Sequence, residues 1–252
     1  MSAPRSLHRY ALLLAGATFL LVIAGGLVTS TGSGLAVPDW PLSFGQVFPD
    51  MQGGVVFEHG HRLIAATVGL LTIGLVALAR RLEPRAWVRA LAWAALGTVI
   101  LQGVLGGTTV LLRLPDAVSV AHAGLAQIFF ALTVVIADVT APSFISAETA
   151  NGARGSGFGV LTLTTAAAVY VQILLGAIVR HTGAGLAIPD YPLAFGRLVP
   201  EFSSVLVVWH YLHRWFALVP VALIAWTALR VARHQPTPFL VRPAAILVAL
   251  GG

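Results

Sequence analysis

The sequence contains no cysteine and no lysine, and charged residues of either sign are scarce. With 0 cysteines in 252 residues, disulfides, thiolate metal sites and cysteine nucleophiles are excluded. Charged residues make up 10% of the chain, whereas soluble domains carry about 25%. Together with a mean hydropathy of +0.89, this composition predicts a polytopic membrane protein. Any metal would have to be held by histidine, aspartate or glutamate.

The basic residues are all arginine, and the formal net charge is +6. In so hydrophobic a chain, an excess of arginine indicates membrane topology and contact with lipid head groups rather than nucleic-acid binding. The first apolar run, which follows Arg5 and Arg9, is too long for a signal-peptide core. We therefore expect it to be retained as the first membrane span.

Apolar runs of about 20 residues, the length that crosses a bilayer, predict six complete spans and the start of a seventh. The six are placed at Tyr10–Val28, Phe57–Leu78, Trp87–Leu111, Val118–Ala137, Phe158–Val179 and Val205–Leu229. The seventh begins near Phe239 and is still apolar at Gly252, which predicts an incomplete C-terminus.

Arginine placement orients the spans, because cytoplasmic loops are enriched in arginine. Arginines precede the first span and fill the loops after the second and sixth spans, at Arg5, Arg9, Arg80, Arg81, Arg85, Arg89, Arg230, Arg233 and Arg242. The loop after the first span has Asp39 and Asp50 but no arginine. This pattern predicts a cytoplasmic N-terminus and places the first loop outside.

A Gly/Pro-rich loop occurs twice. Gly25–Gly45 reads GGLVTSTGSGLAVPDWPLSFG, Gly176–Gly196 reads GAIVRHTGAGLAIPDYPLAFG, and 13 of the 21 positions are identical. The copies begin four spans apart, an even number, so they share one orientation and form a parallel repeat. We predict an all-α fold of two four-helix halves, residues 1–145 and 146–252, the second truncated after the start of its third helix. Each loop is expected to act as a lid over the outer end of its half.

The helix after each loop carries ionisable residues near its outer end. Glu58 and His61 are three residues apart and share a helix face, and such groups in an apolar span are functional candidates. In the second half His213 takes the place of His61 and His210 that of Glu58. On one copy alone, Glu58 is equally well interpreted as a solvated first-turn acid favoured by the helix dipole. The recurrence favours a site.

The fourth span adds His122, about one turn into its helix and at the depth of His61. A lone histidine there is often a satisfied interior residue. Two imidazoles at one depth of a four-helix unit can, however, hold one iron between them as axial haem ligands. The partner of His213 would lie about 152 residues after His122, near position 274, beyond this chain.

Other polar residues carry less weight. Arg62 and Arg214 follow the histidines and suit the propionates of a haem, the alternative being snorkelling to the interface. His210 could be a partner of His213 or touch the porphyrin edge. The sets Gln102–Gly106 and Gln172–Gly176 predict close helix packing. The remaining histidines are expected to be peripheral: His8, His59, His181 and His234.

The chain resembles the haem A synthase family over essentially its whole length. The resemblance rests on the loops TGSGLAVPDWP and TGAGLAIPDYP, Glu58-x-x-His61-Arg62, His122 and His213-Arg214. It implies an eight-span bundle of two pseudo-symmetric halves that oxidises a methyl group of haem O to the formyl group of haem A for terminal oxidases. His61 and His122 would then hold the substrate haem O beside Glu58, and His213 would ligate a haem b as electron relay. Many members have a cysteine pair in the first loop, which this chain lacks.

Two roles for Glu58 remain open at this point. A carboxylate near the reacting methyl could stabilise developing positive charge, or it could act as general base on an attacking water. The resemblance implies a multi-pass protein of the cell membrane with its haem sites near the outer face. The expected partners are haem O, membrane lipid, haem O synthase and terminal oxidase subunits, and a homo-oligomer is left open.

Three alternatives use the same residues differently. A diheme membrane cytochrome of the b type would need the histidines but not Glu58. A transporter would show inverted repeats and helices broken at mid-membrane. A di-metal carboxylate site would need several acids, and the six spans offer essentially one.

Overall fold

The computed structural model describes residues 5–151 and 159–234, and within these ranges the chain is helical. The helices are α1 (Arg5–Ser30), α2 (Gly54–Leu82), α3 (Ala86–Leu111), α4 (Asp116–Val139), α5 (Pro142–Asn151), α6 (Gly159–His181), α7 (Val205–Phe216) and α8 (Leu218–His234). A 3₁₀ turn covers Ala184–Leu186. The chain divides into two compact units, Met1–Ala153 and Arg154–Gly252.

Among the described residues, six helical segments are long and apolar enough to cross a membrane, and they coincide with the six predicted spans. Their ends lie within a few residues of the predicted ones; α2, for example, begins at Gly54 and ends at Leu82. The prediction of an all-α, polytopic membrane protein is confirmed. The predicted seventh span near Phe239 lies outside the described residues, and the parallel repeat stays a prediction.

Two local features were not predicted. The short helix α5 occupies part of the connection between the units. The sixth span divides into α7 and α8 at Ala217. Pro220 explains this break, because proline has no amide hydrogen to donate to Phe216 four residues earlier.

In the first unit, α1 to α4 form a four-helix bundle. Both α1 and α3 pack against α2 and α4, so α2 and α4 lie diagonally opposite each other. The main cluster of buried apolar side chains lies towards the end of the bundle away from the first loop, and includes Leu7, Leu14, Leu75, Ala92, Phe129 and Ile136. In lipid such a core stabilises through close packing more than through transfer from water. The candidate residues all lie at the opposite end.

In the second unit, α6 packs against α7, α8 and the 3₁₀ turn. A small core joins the second loop to α7 through Ile188, Ala194 and Val207. The start of α7 is fixed by Ser204, whose hydroxyl oxygen accepts a hydrogen bond from the Val207 amide at 3.4 Å. Serine is a favoured residue at this capping position, and it sets the register that places His213 eight residues into the helix.

Candidate functional site

The first Gly/Pro loop (residues 31–53) folds around Asp39. The carboxylate of Asp39 accepts hydrogen bonds from the amides of Phe44 at 2.7 Å and Gly45 at 2.8 Å. Ser43 and Gln46 exchange two main-chain hydrogen bonds of 3.0 Å. Phe44 and Gly45 have φ values of 53° and 72°, the left-handed region in which glycine is strongly favoured. The glycine of this motif is therefore required by the turn.

The second Gly/Pro loop (residues 182–204) has the same construction. The carboxylate of Asp190 accepts from the amides of Phe195 at 2.7 Å and Gly196 at 2.8 Å. The peptide bond before the second proline is cis in both loops, at Trp40–Pro41 and Tyr191–Pro192. Matched sequence thus gives a matched hydrogen-bond pattern in each unit.

These two aspartates share a lowered pKa. Hydrogen bonds from the amides of Gly45 and Phe44 hold the pKa of the Asp39 carboxyl below its ordinary value of 3.8, and the amides of Gly196 and Phe195 do the same for Asp190. Since each folded-state pKa lies below the unfolded one, the ionised carboxylate stabilises its turn fully above about pH 3.8. That contribution is lost as the pH falls through the lowered pKa.

The first prediction concerns this turn. In Asp39→Ala at pH 7, we expect the amides of Phe44 and Gly45 to exchange with deuterium about tenfold faster, because their charged acceptor is gone. Asp50→Ala is the matched control, since Asp50 is an exposed carboxylate of the same loop that bonds the side chain of Gln52. Equal exchange rates in the two variants would contradict the role of Asp39.

Arg62 ties the first loop to α2. Its Nη1 donates to the carbonyl oxygens of Asp39 at 2.7 Å and Leu42 at 2.8 Å. Its Nη2 donates to the carbonyl oxygen of Val37 at 3.3 Å and to Oε1 of Glu58 at 2.6 Å. Both terminal nitrogens of Arg62 are therefore bonded to the loop, and Nη2 is also paired with Glu58.

Arg214 ties the second loop to α7 in the same way. It donates to the carbonyl oxygens of Asp190 and Leu193, and its guanidinium lies 5.3 Å from the ring centre of Tyr191. The contact of Arg62 and Arg214 with haem propionates stays a prediction. What the structure shows for both arginines is that they hold a loop main chain.

Glu58 and His210 occupy equivalent acceptor positions. The amide of Val37 donates to Oε2 of Glu58 at 2.8 Å, and the amide of Ile188, 151 residues further on, donates to Nδ1 of His210 at 3.2 Å. Glu58 is only 4% exposed. The interpretation of Glu58 as a solvated first-turn acid is therefore wrong: it is a buried, ion-paired carboxylate.

The first loop covers the end of its bundle. Besides the contacts with α2, Trp40 lies against Gly107 of α3, where an added Cβ would come within 2.6 Å of the indole. Gly34 lies against Leu114, which connects α3 to α4. The loop therefore extends from α2 across to the far side of the bundle, as expected for a lid.

His59 contributes to this attachment, although the pattern had marked it as peripheral. It is 5% exposed, and its Nδ1 lies 2.8 Å from the hydroxyl oxygen of Ser43. The sequence carried no direct signal for this contact, because Ser43 lies 16 residues earlier, in the loop.

Each predicted iron ligand packs against a glycine of a neighbouring helix. An added Cβ would approach the Cε1 atom of the imidazole within 3.0–3.2 Å in the three pairs His61 with Gly25, His122 with Gly106 and His213 with Gly176. In each case the glycine lies five residues before the end of its helix. Real Cβ atoms rarely come so close, so these glycines provide the space in which the imidazole rings lie.

His61 and His122 lie at one depth. His61 is seven residues into α2 and His122 six residues into α4, which at 1.5 Å per residue places both about 10 Å from the loop end. Both rings are half-buried, and the Nδ1 atom of His61 is buried without a hydrogen-bond partner in the described structure. Diagonal helices thus present two imidazoles to the same level of the bundle.

This arrangement fits a haem better than a bare metal ion. Nowhere in residues 5–151 and 159–234 do three or more His, Asp or Glu side chains gather as a metal site. A haem iron takes four ligands from its porphyrin and needs only axial ligands from the protein. His61 and His122 are chemically suited to that task, whereas a di-metal carboxylate site would need acids that are not brought together here.

The second unit has an open cleft of about 310 Å³, lined by Gly176, Val179, Arg180, Gly183, Gly185 and Leu186. Gly176 also lies against the ring of His213, although His213 itself is not among the residues that line the cleft. A cavity of about 380 Å³ in the first unit is lined by Ala77, Arg80 and Arg81, and it contains none of the candidate histidines.

Comparison with known proteins agrees with these features. The family model described as cytochrome oxidase assembly protein matches residues 8–251. Heme A synthase of Symbiobacterium thermophilum is 31% identical over 230 residues, which cover 86% of this chain and 73% of that protein. Heme A synthase of Geobacillus kaustophilus is 31% identical over 255 residues, with coverages of 98% and 79%. The chain thus belongs to the COX15-CtaA family of cytochrome oxidase assembly proteins, which confirms the resemblance found in its sequence.

Proposed function

We propose that this multi-pass membrane protein is a haem A synthase, an oxidoreductase that acts on haem O and forms haem A for terminal oxidases. The observation that carries the proposal is the pair of half-buried imidazoles, His61 and His122, at one depth on diagonal helices, under a loop fastened by buried Glu58. The relatives' shared name, Heme A synthase, supports it. A purely electron-transferring cytochrome receives no such support.

The bond oxidised would be a C–H bond of the porphyrin methyl group, which becomes the formyl group. His61 and His122 would hold the iron of haem O as axial ligands and so fix the ring within the bundle. His213 would bind a haem b in the second unit. Such a haem b supplies one-electron transfer when it is bound.

Glu58 would act on the substrate from a fixed position. Two donors, the Val37 amide and Arg62, hold its two oxygens, so the carboxylate does not have to reorganise when charge develops nearby. Fixed charge in a site shielded from water is the most effective form of electrostatic stabilisation. We therefore favour the electrostatic role for Glu58 over that of a general base, because both carboxylate oxygens are already engaged by donors, the Val37 amide and Arg62.

The first loop would keep water from the reacting methyl group. Trp40 packs on Gly107, and Arg62 donates hydrogen bonds to carbonyl oxygens of the loop. Both contacts close the same end of the bundle. The expected orientation, with a cytoplasmic N-terminus, puts this end near the outer face of the membrane. Haem O synthase and terminal oxidase subunits are the expected partners, since one supplies the substrate and the other receives the product.

The test is haem extraction. Cells that make haem O but no haem A should accumulate haem A when they express this protein, as measured by chromatography of acid-acetone extracts. Protein that is present in the membrane and binds haem, but yields no haem A or alcohol-level precursor, would contradict the synthase function and favour the cytochrome alternative.

A further inference from the structure

Each Gly/Pro loop exposes an apolar tip around its turn. The tip consists of Phe44, Val47 and Phe48 in the first loop and of Phe195, Leu198 and Val199 in the second. These six side chains are between 49% and 78% exposed. The three positions of one tip lie 151 residues from those of the other, which is the offset between the two loops. Single exposed apolar residues are ordinary, but a cluster that recurs at matched positions indicates a contact surface.

One residue of each tip has an unfavourable backbone conformation. Phe44 and Phe195 have φ values of 53° and 54°, where bulky residues are rare and glycine, asparagine or aspartate are favoured. The hydrogen bonds to Asp39 and Asp190 fix the turn but do not require an aromatic side chain at this position. Both phenylalanines are half-exposed, so packing against the described part of the chain does not account for the ring. This residue type points to a contact outside the chain.

The first tip lies beside the membrane spans rather than beyond their ends. Ser43, directly before the tip, is bonded to His59 at 2.8 Å, and His59 lies five residues into α2. Because a helix rises 1.5 Å per residue, this contact is about 8 Å below the start of α2. Trp40 contacts Gly107, which lies four residues before the end of α3. The loop is therefore folded back onto the bundle at this depth.

The second tip has the same position within its own unit. Ala194, directly before Phe195, is buried against Val207 in the first turn of α7. The carbonyl oxygen of Leu193 accepts a hydrogen bond from Arg214, which lies nine residues into α7. The second tip is thus also held beside the first turns of the helix that follows its loop.

This depth corresponds to the lipid interface. With 29 residues, α2 is about 43 Å long, which matches the thickness of about 40–45 Å of a bilayer with its head groups. Head groups take up about 5–8 Å of that thickness on each side, so the first tip lies near their boundary with the hydrocarbon. Val56 and Phe57, in the first turn of α2, are also exposed and continue the apolar surface. Aromatic and apolar side chains are favourable at this boundary.

The charges around the tips agree with a lipid surface. Residues 40–49 contain no charged side chain, so the first tip can enter the interface without the cost of burying an ion. In the second tip Arg197 is exposed and lies 3.0 Å from Glu201. An arginine at this depth buries its apolar stem and extends its guanidinium to the head groups, where phosphates are available to it.

We propose that the tips of both loops insert into the lipid interface of the leaflet at their end of the bundle. The bilayer then holds each cover from outside, while Arg62 and Arg214 hold it from inside. Lipid supplies the contact that Phe44 and Phe195 lack within the chain. A cover held in this way opens only when its tip leaves the bilayer. The inference concerns the loops alone and does not depend on haem ligation.

The absence of cysteine provides the experiment, because single-cysteine variants can be spin-labelled without further changes. Val47→Cys and Leu198→Cys place a nitroxide at the two tips of the full chain in vesicles of phosphatidylethanolamine and phosphatidylglycerol. Power-saturation electron paramagnetic resonance then compares collisions with oxygen, which concentrates in the bilayer, and with a nickel chelate, which stays in water. The matched controls are Gln52→Cys and Ser203→Cys, exposed polar positions two residues before α2 and α7.

We expect oxygen to be the more effective relaxant at both tips and the nickel chelate to be the more effective at both controls. A tip label that meets the nickel chelate as readily as its control does would overturn the inference for that loop, because the loop would project into water. Protection of a tip label from both reagents would also overturn it, since protein, such as a second copy of the chain, would then cover the tip. Either result would leave the proposed function intact.

Discussion

Glu58→Gln is expected to retain haem O but to convert it about 10²–10³-fold more slowly, the range seen when one fixed electrostatic group is removed. Glutamine has nearly the same shape, and its amide oxygen can still accept from the Val37 amide. The negative charge opposite Arg62 is lost, together with the hydrogen bond from Arg62 Nη2, because the amide NH₂ that replaces Oε1 is a donor. The rate of haem A formation and the deuterium exchange of the Val37 amide, measured on the same preparation, separate chemistry from loop attachment.

Glu83→Gln is the control for this substitution. Glu83 directly follows α2 at its other end, is 3% exposed and is bonded to Arg85 at 2.8 Å, so the two carboxylates match in burial and pairing. We expect Glu83→Gln to leave conversion unchanged. A normal rate of conversion in Glu58→Gln would contradict the electrostatic role. Slow conversion together with rapid deuterium exchange of the Val37 amide would indicate that Glu58 only attaches the loop.

His61→Ala and His122→Ala should each abolish binding of haem O in the first unit. Loss of an axial ligand should lower conversion by more than about 100-fold. Removing a residue that only hydrogen-bonds to a ligand lowers activity or metal affinity by about 100-fold at most. The haem b that we propose for His213 should remain, because His213 belongs to the other unit. Haem content by pyridine haemochromogen and the visible spectrum measure both results.

His8→Ala is the matched control for the two ligand variants. His8 lies in the same bundle, part-buried, and its ring bonds the carbonyl oxygen of Ala137 at 2.9 Å, so its loss tests a structural histidine. Haem O content should be unaffected. If His61→Ala and His122→Ala bind haem O as the parent protein does, the substrate does not occupy the level of these two residues.

The spans and the repeated loops were predictable because each follows from a strong local rule. Apolar runs of bilayer length specify helices, and the Gly, Pro and Asp positions of a tight loop can be matched one by one. The equal depth of His61 and His122 also followed from the sequence, because each lies a fixed number of residues beyond the start of its helix.

The contacts between elements were not predictable in the same way. Nothing local to His59 indicates that its ring meets Ser43, or that Arg62 bonds loop carbonyls rather than lying free at the interface. The fit of Gly25 to the ring of His61 depends on how two helices meet. Such pairings are decided by packing between distant parts of the chain, for which a single sequence carries no direct signal.

The attachment of the first loop has a consequence for how substrate is exchanged. The ties described there are hydrogen bonds and an ion pair, through Glu58, His59 and Arg62, and a packing contact of Trp40. The chain has no cysteine. The cover can therefore open and close without any covalent bond being broken. The time for which the loop stays closed should depend on temperature and pH. It should not depend on the thiol–disulfide redox potential of the compartment that the loop faces.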